Sequence, residues 1–344
     1  MMPVRDILIV GAGPSGLATA IAAKQHGLDY VIVEKGVLVN AIFNFPMHMV
    51  FFTTPELLEI GGLPLVTPYD KPTRLEALRY YRRVVDTYDL PISFHEIVTS
   101  IEPPSLRRSG GASAGQGSGS DVFIVETEND RGIIRVREAR AVVLAIGYYD
   151  QPNYLGVPGE DLPHVSHYYT DAHPYYRRRV VVVGGKNSAA EACLELFRAG
   201  AHVTLVHRHA TLHDNIKYWV RPDIENRIKE GSVATRFSAC VTSITPTHVV
   251  IQQEGTREEI PADGVFLLTG YHPDVDLMRD AGIHVDDETL APELNMETFE
   301  TNVPNLFIAG GAIAGKKTGN IFIENGRFHG SKIVEVLAQR LRRD

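Results

Sequence analysis

Cysteine is almost missing from this sequence: Cys193 and Cys240 are the 2 in 344 residues, far apart along the chain. That excludes a disulfide-stapled scaffold and fits a reducing compartment, so a cytoplasmic location is expected. No apolar run approaches the ~18 residues that a membrane span needs. The opening residues, "MMPVRDILIV", run straight into a strand-like segment, so no secretion signal is expected. An excess of positive charge is missing too. Lys and Arg number 34 against 42 Asp and Glu, for a formal net charge of -8, which argues against nucleic acid as a main partner. What is present is ordinary for a globular chain, with 44% hydrophobic and 22% charged residues. The length is that of two domains.

Residues 1–36 read strand, glycine turn, helix, strand. Ile7–Val10 is apolar throughout, as a buried parallel strand is. Ala18–Gly27 reads as a helix ended by glycine, and Tyr30–Glu34 as the next strand. Thr73–Tyr88 carries apolar residues at helical spacing. Strand-like segments follow at 92–101, 122–127 and 133–136. Between the first two lies "RRSGGASAGQGSGS", a flexible surface loop by composition. Two echoing phrases, "AVVLAIGYYDQPN" and "GVFLLTGYHPDVD", then bracket a second strand–glycine–helix unit. They read as the two crossings between an outer domain and an inserted one. The fold class is therefore α/β, with two Rossmann-like dinucleotide-binding domains, one inserted in the other. The divisions fall at 1–150, 151–271 and 272–344, and the last part adds a strand at 306–309 and one helix over 321–341.

The first loop is Gly11-x-Gly13-x-x-Gly16. Gly11 permits the tight turn, Gly13 lets backbone approach a pyrophosphate, and Gly16 lets the helix pack on the strand. Pro14 and Ser15 open the helix, whose N-terminus offers free N–H groups to phosphate. Glu34 ends the next strand, placed to accept ribose hydroxyls. The second loop, Gly184-Gly185-Lys186-Asn187-Ser188-Ala189, has lysine where the second glycine is expected. Lys186 is either an ammonium beside a phosphate or a solvated lysine at a turn. The position matching Glu34, 23 residues past the first glycine in both units, is His207, followed by Arg208. An acid there would repel a 2′-phosphate and Arg208 would attract one, so NADPH is expected over NADH. Two dinucleotide sites in one chain imply FAD, held by the outer domain, and NADPH, held by the insert.

With "GAGPSG", "VVLAIG", "VVVVGGKNSAAE" and "NLFIAGG", the chain resembles the thioredoxin-reductase-like two-dinucleotide flavoproteins. With "LEIGGLPLV", "KPTRLEALRYYRRV", "GYYDQPNYLGVPGEDLPHVSHYY", "GGKNSAAEACLEL" and "IFIENGRFHG", it resembles the bacillithiol disulfide reductase family over nearly its whole length. In that family the "GGKNSA" form is usual. The resemblance implies further FAD contacts from Lys35, Asn40, Val98, Ala145 and Gly147, and from Gly310 and Gly311. It also implies backbone N–H groups of Asn320, Ile321 and Phe322, at the start of the last helix, aimed at the flavin, and an NADPH contact from Gly270. Three departures matter. The dithiol of thioredoxin reductases aligns with His167 and Thr170, so this chain has none. The Gly-Asp that usually ends the FAD site is Gly310-Gly311. Some bacillithiol-type members have cysteine where this chain has Ser15.

The implied activity is transfer from NADPH to FAD and then to a small disulfide, with bacillithiol disulfide as the family's candidate. The alternatives are a reductase of a ferredoxin- or flavodoxin-type carrier and a non-catalytic flavin redox sensor. A homodimer or homotetramer is expected. His48 and His167 are candidate proton donors to a leaving thiolate. His202, His207, His209 and His213 crowd one segment, but no cysteine or acid completes a metal spacing, and no metal is expected.

Overall fold

The structure, a computed structural model, describes residues 3–104 and 121–341. The Gly- and Ser-rich stretch at 107–120 lies outside the described residues. The chain divides into two compact units. One comprises Met1–Phe43, Met49–Gln151 and Tyr271–Asp344, and the other Asn44–His48 and Pro152–Gly270.

The first unit is built on strands β1 (Arg5–Val10), β2 (Tyr30–Glu34), β3 (Ile92–Phe94), β4 (Glu96–Glu102), β5 (Phe123–Asn129) and β6 (Ile134–Leu144). They lie in the order β3-β2-β1-β6-β5-β4, and the Leu306–Ile308 strand also pairs with β6. The short strand expected at 133–136 proves to be the outer end of 11-residue β6. That outer end pairs antiparallel with β5. The buried end, "AVVL", pairs parallel with β1 and with Leu306–Ile308. The strand expected over 92–101 is broken at His95, whose φ of 55° turns the chain between β3 and β4. The first helix runs Pro14–Gln25 and buries every residue from Gly16 to Ala23, as a helix apolar on all sides must. The Arg74–Tyr88 helix is opened by Thr73 and Glu76, whose side chains each cap the other's backbone N–H. The last helix is not continuous. One turn, Ile323–Gly326, precedes the main helix His329–Leu341, and Arg327 between them donates to the carbonyls of Glu56 and Glu59.

The second unit holds a five-stranded parallel sheet and a three-stranded antiparallel meander. The parallel sheet uses β7 (Val165–Ser166), β8 (Arg179–Val183), β9 (His202–Val206), β10 (Val233–Arg236) and β14 (Gly264–Leu267). The meander is β11 (Ala239–Ile244), β12 (His248–Gln253) and β13 (Thr256–Pro261). One face of the parallel sheet packs Val180 and Val182 with Cys193 and Leu196 of the Asn187–Arg198 helix. The other packs Val181 and Val183 with Val249 and Ile251 of the meander. Both units are α/β with a glycine loop between a parallel strand and the helix that follows it, the class the sequence implies.

Candidate functional site

The glycine loops occupy equivalent places in their sheets. Gly11 N–H donates to Val33 O at 2.8 Å, and Gly184 N–H to Val206 O at 3.0 Å. Ala145 N–H donates to Val10 O and Leu268 N–H to Val183 O, each at 2.8 Å. Each loop is thus backed by the end of one echoing phrase. A Cβ on Gly11 would sit 2.5 Å from Ala145 O, and one on Gly184 would sit 2.6 Å from Leu268 O. Ordinary side chains are excluded at both positions by backbone, which cannot yield.

In the first loop a Cβ on Gly16 would overlap Gly11 O, whereas one on Gly13 would meet nothing within 4 Å. Gly13 therefore faces open space at the N-terminus of a 12-residue helix that has no side-chain cap. Helix N–H groups so placed suit an anion. Glu34 is buried, and its carboxylate accepts from Ala12 N–H at 2.7 Å and Gly36 N–H at 2.8 Å. Burial pushes its pKa up and the two backbone donors oppose the rise. Each oxygen keeps a second lone pair for a hydroxyl donor. Lys35 lies 3.0 Å from Asp150, to which Asn40 also donates at 3.4 Å. Gly147 turns the chain with φ of 62° after Ala145, and Val98 is buried in β4.

The C-terminal segment closes on the same loop. Gly310 has φ of 78°, and a Cβ there would meet Ser15 Oγ at 2.5 Å. One on Gly311 would meet the Tyr148 ring at 2.7 Å, and one on Gly326 would again meet Ser15 Oγ, at 3.1 Å. Of the three backbone donors expected to face a flavin, two are used internally. Asn320 N–H donates to Lys317 O at 3.1 Å, and Phe322 N–H to Asn325 Oδ1 at 2.8 Å. Ile321 N–H has no partner among the described residues. His329, absent from the sequence reading, accepts from Gly310 N–H through Nδ1 at 3.1 Å and stacks on Phe299. Burial, aided by Lys332, lowers its pKa to about 4.

In the second loop Lys186 is the exposed N-cap of the Asn187–Arg198 helix, which also lacks a side-chain cap. Ala189 stands where the first loop has Gly16, and its Cβ is accommodated beside Gly184. His207 lies over Gly185, and Arg208 Nε reaches His209 Nε2 at 3.3 Å. Burial and the neighbouring His209, Arg208 and His213 lower the pKa of His207. Asn187 is less free than its place suggests. It accepts from Lys217 N–H at 2.9 Å and donates to Asn215 O at 3.3 Å. His213 N–H donates to Gly185 O at 2.9 Å, so residues 213–217 form a strap on this loop that no sequence motif announces. Ser188 is exposed on the first turn, and Gly270, with φ of 94°, accepts from Asn153 N–H at 2.9 Å.

The two histidine candidates share the second unit. Met47 N–H donates to Thr170 O at 2.8 Å, tying the segment of exposed His48 to that of His167. His167 is buried, with Nε2 3.3 Å from a Glu160 oxygen. Burial lowers its pKa, while Glu160 and the backbone at Leu267 oppose the shift. Glu160 itself accepts from three successive backbone N–H groups, Leu155 to Val157, so it fixes a turn. Cys193 is fully buried, which pushes its thiol pKa far up, and Cys240 is exposed in the meander. Among the described residues no cluster fit for a metal ion occurs, and no helix is long and apolar enough to cross a membrane.

The uncapped helix, the open space at Gly13 and the half-used carboxylate of Glu34 fit a dinucleotide in the first unit. The second uncapped helix, with Arg208 and Lys186 beside it, fits another. The sequence profile of the pyridine nucleotide-disulphide oxidoreductases matches residues 8–310. The chain is 42% identical over 335 residues to the bacilliredoxin reductase Bdr of Bacillus subtilis (strain 168), covering 97% of each. It superposes on the bacillithiol disulfide reductase Bdr (YpdA) of Bacillus cereus with a TM-score of 0.91 at 40% identity, covering 98% of this chain and 100% of that one. For the Staphylococcus aureus enzyme of the same name the values are 0.87 and 38%, covering 98% and 99%. The chain is an oxidoreductase that uses FAD and NADPH, and it belongs to the bacillithiol disulfide reductase family of the pyridine nucleotide-disulphide oxidoreductases.

Proposed function

We propose that this protein reduces a low-molecular-weight disulfide with NADPH through bound FAD and without a thiol of its own. Bacillithiol disulfide, the compound in the names of its structural relatives, is the substrate we assign. The balance is NADPH + H⁺ + RSSR → NADP⁺ + 2 RSH. The S–S bond breaks, NADPH supplies the electron pair, and a second proton comes from solvent. FAD, when bound, relays two electrons between the two substrates. The unit containing Gly11–Gly16 holds FAD and the inserted unit holds NADPH. Gly13 admits the pyrophosphate to the uncapped helix, Glu34 accepts ribose hydroxyls, and Ile321 N–H is the one free donor of the 320–322 turn. Arg208 and Lys186 meet the phosphates of NADPH, and His48 is the better placed of the two histidines to give a proton to a thiolate because it is exposed.

The observation that carries the reading is the cysteine inventory. A thiol relay needs a reactive, paired thiolate. Cys193 is sealed in the core of the insert with its thiol held protonated, and Cys240 has no cysteine partner. The test is an anaerobic titration of the NADPH-reduced, flavin-loaded protein with bacillithiol disulfide. Stoichiometric reoxidation of the flavin is expected. A flavin that stays reduced with the disulfide, yet reoxidises rapidly with a ferredoxin or flavodoxin, overturns it.

A further inference from the structure

We infer that Tyr148 is a flavin-binding residue, admitted by the side-chain-free pair Gly310–Gly311, and that its phenol serves the polar chain of the bound dinucleotide. This rests on the placement of FAD in the first unit proposed above.

The placement of Tyr148 follows from the topology. β1, β6 and the Leu306–Ile308 strand run parallel, and their carboxyl ends are Val10, Leu144 and Ile308. In an open parallel sheet the ligand crevice lies outside such ends. The glycine loop leaves β1 there, Gly310–Gly311 leave the last strand there, and Tyr148 leaves β6 there through the left-handed turn at Gly147. The contacts are continuous. Ser15 Oγ abuts Gly310, and the ring of Tyr148 abuts Gly311, with Cδ1 and Cε1 both 2.7 Å from where a Cβ would be. Any side chain at 311 would displace the ring, and a carboxylate there would be pressed against its carbons.

Tyr148 is part-buried, and desolvation together with the Glu324 carboxylate raises its pKa. Its hydroxyl therefore keeps its proton and is available to donate. It has no hydrogen-bond partner among the described residues and is not sealed from solvent, so it is open to a bound acceptor. A polyol or pyrophosphate in this crevice supplies an acceptor in place of water. In place of a fixed negative charge after Gly310, the chain offers a neutral donor attached to a flat ring.

The test uses the full-length protein stripped of FAD and titrated with FAD, with quenching of flavin fluorescence giving the Kd. Loss of one hydrogen bond in Tyr148→Phe is expected to raise Kd about twofold to tenfold. Gly311→Asp is expected to raise it further, because the new side chain meets the ring. The double variant Tyr148→Ala/Gly311→Asp, in which the ring is gone, is expected to bind more tightly than Gly311→Asp alone. An unchanged Kd in Tyr148→Phe overturns the role of the hydroxyl. A double variant no tighter than Gly311→Asp overturns the pairing of the ring with the glycine. Gly13→Leu separates the two layers of the argument. A Cβ there has no atom within 4 Å and starts the side chain into the open space, so an unchanged Kd in that variant refutes the placement of FAD itself.

Discussion

The imidazole of His207 lies over Gly185 so closely that a Cβ at 185 would fall 2.5 Å from Nδ1. In the first unit the matching pair is Glu34 and Ala12, where the carboxylate takes the Ala12 N–H instead. One position of the fold thus presents an acceptor in one unit and a weakly basic ring followed by a guanidinium in the other. The second arrangement suits a phosphate on the ribose.

Arg208→Ala is accordingly expected to act on one cofactor only. Losing a charge-assisted phosphate contact removes about 1.5–3 kcal/mol, or roughly 10- to 100-fold in KM for NADPH. KM for NADH is expected to stay within about twofold. Steady-state kinetics with both nucleotides check this, and equal losses would refute the assignment.

Replacing both Cys193 and Cys240 with Ala is expected to leave NADPH-driven turnover within about twofold. Cys193 fills core space between the Asn187–Arg198 helix and the parallel sheet, so the change appears in stability, at about 1 kcal/mol. Thermal melting read beside turnover tests both halves. A loss of turnover with stability intact would restore a thiol to the mechanism.

His329 makes the fold sensitive to acid. Its folded-state pKa is lowered to about 4, so between about 4 and the ordinary 6.5 the unfolded chain binds a proton that the native chain refuses. Stability is therefore complete above 6.5 and falls as pH drops toward 4, by about 3 kcal/mol. Protonation also turns Nδ1 from acceptor to donor, facing the Gly310 N–H. His329→Asn keeps an acceptor without the titration. Its stability, measured by urea unfolding at several pH values, is expected to fall less steeply than that of the parent. Parallel curves would rule out the assignment.

Gly310→Ala is expected to destabilise by about 2 kcal/mol or more. The left-handed backbone alone costs a non-glycine residue about 1–2 kcal/mol, and the added carbon meets Ser15. Ser15→Gly in the same chain should recover the contact part and not the backbone part. Chemical denaturation of the single and double variants measures the split.

The glycine loops and their partners at Glu34 and His207 were legible because they are local. A strand, a turn and a helix fix the spacing, and the pairings Val10↔Val33 and Val183↔Val206 turn 23 residues of sequence into one register. The echo of "AVVLAIG" in "GVFLLTG" marked the two strands that back those loops for the same reason. Tyr148 against Gly311, His329 on Gly310 and the 213–217 strap on Asn187 left no periodic trace, because the packing of distant elements creates them. The break at His95 and the split at Arg327 were hidden for a related reason. One is a single residue with left-handed backbone and the other a two-residue gap beside a side chain that bonds distant carbonyls, each within an otherwise regular pattern.

The Leu306–Ile308 strand has a consequence for how the chain is made. The second unit ends at Gly270, and its two ends are already tied there, with Asn153 bonded to Gly270 and to Thr269. Its parts are complete once that residue has left the ribosome. The first unit begins at the N-terminus but lacks the strand beside β6 until Ile308 emerges. Domains fold as units during synthesis, so the half translated first is the half that finishes last. Until then the buried end of β6 has an open edge, free to pair with another chain.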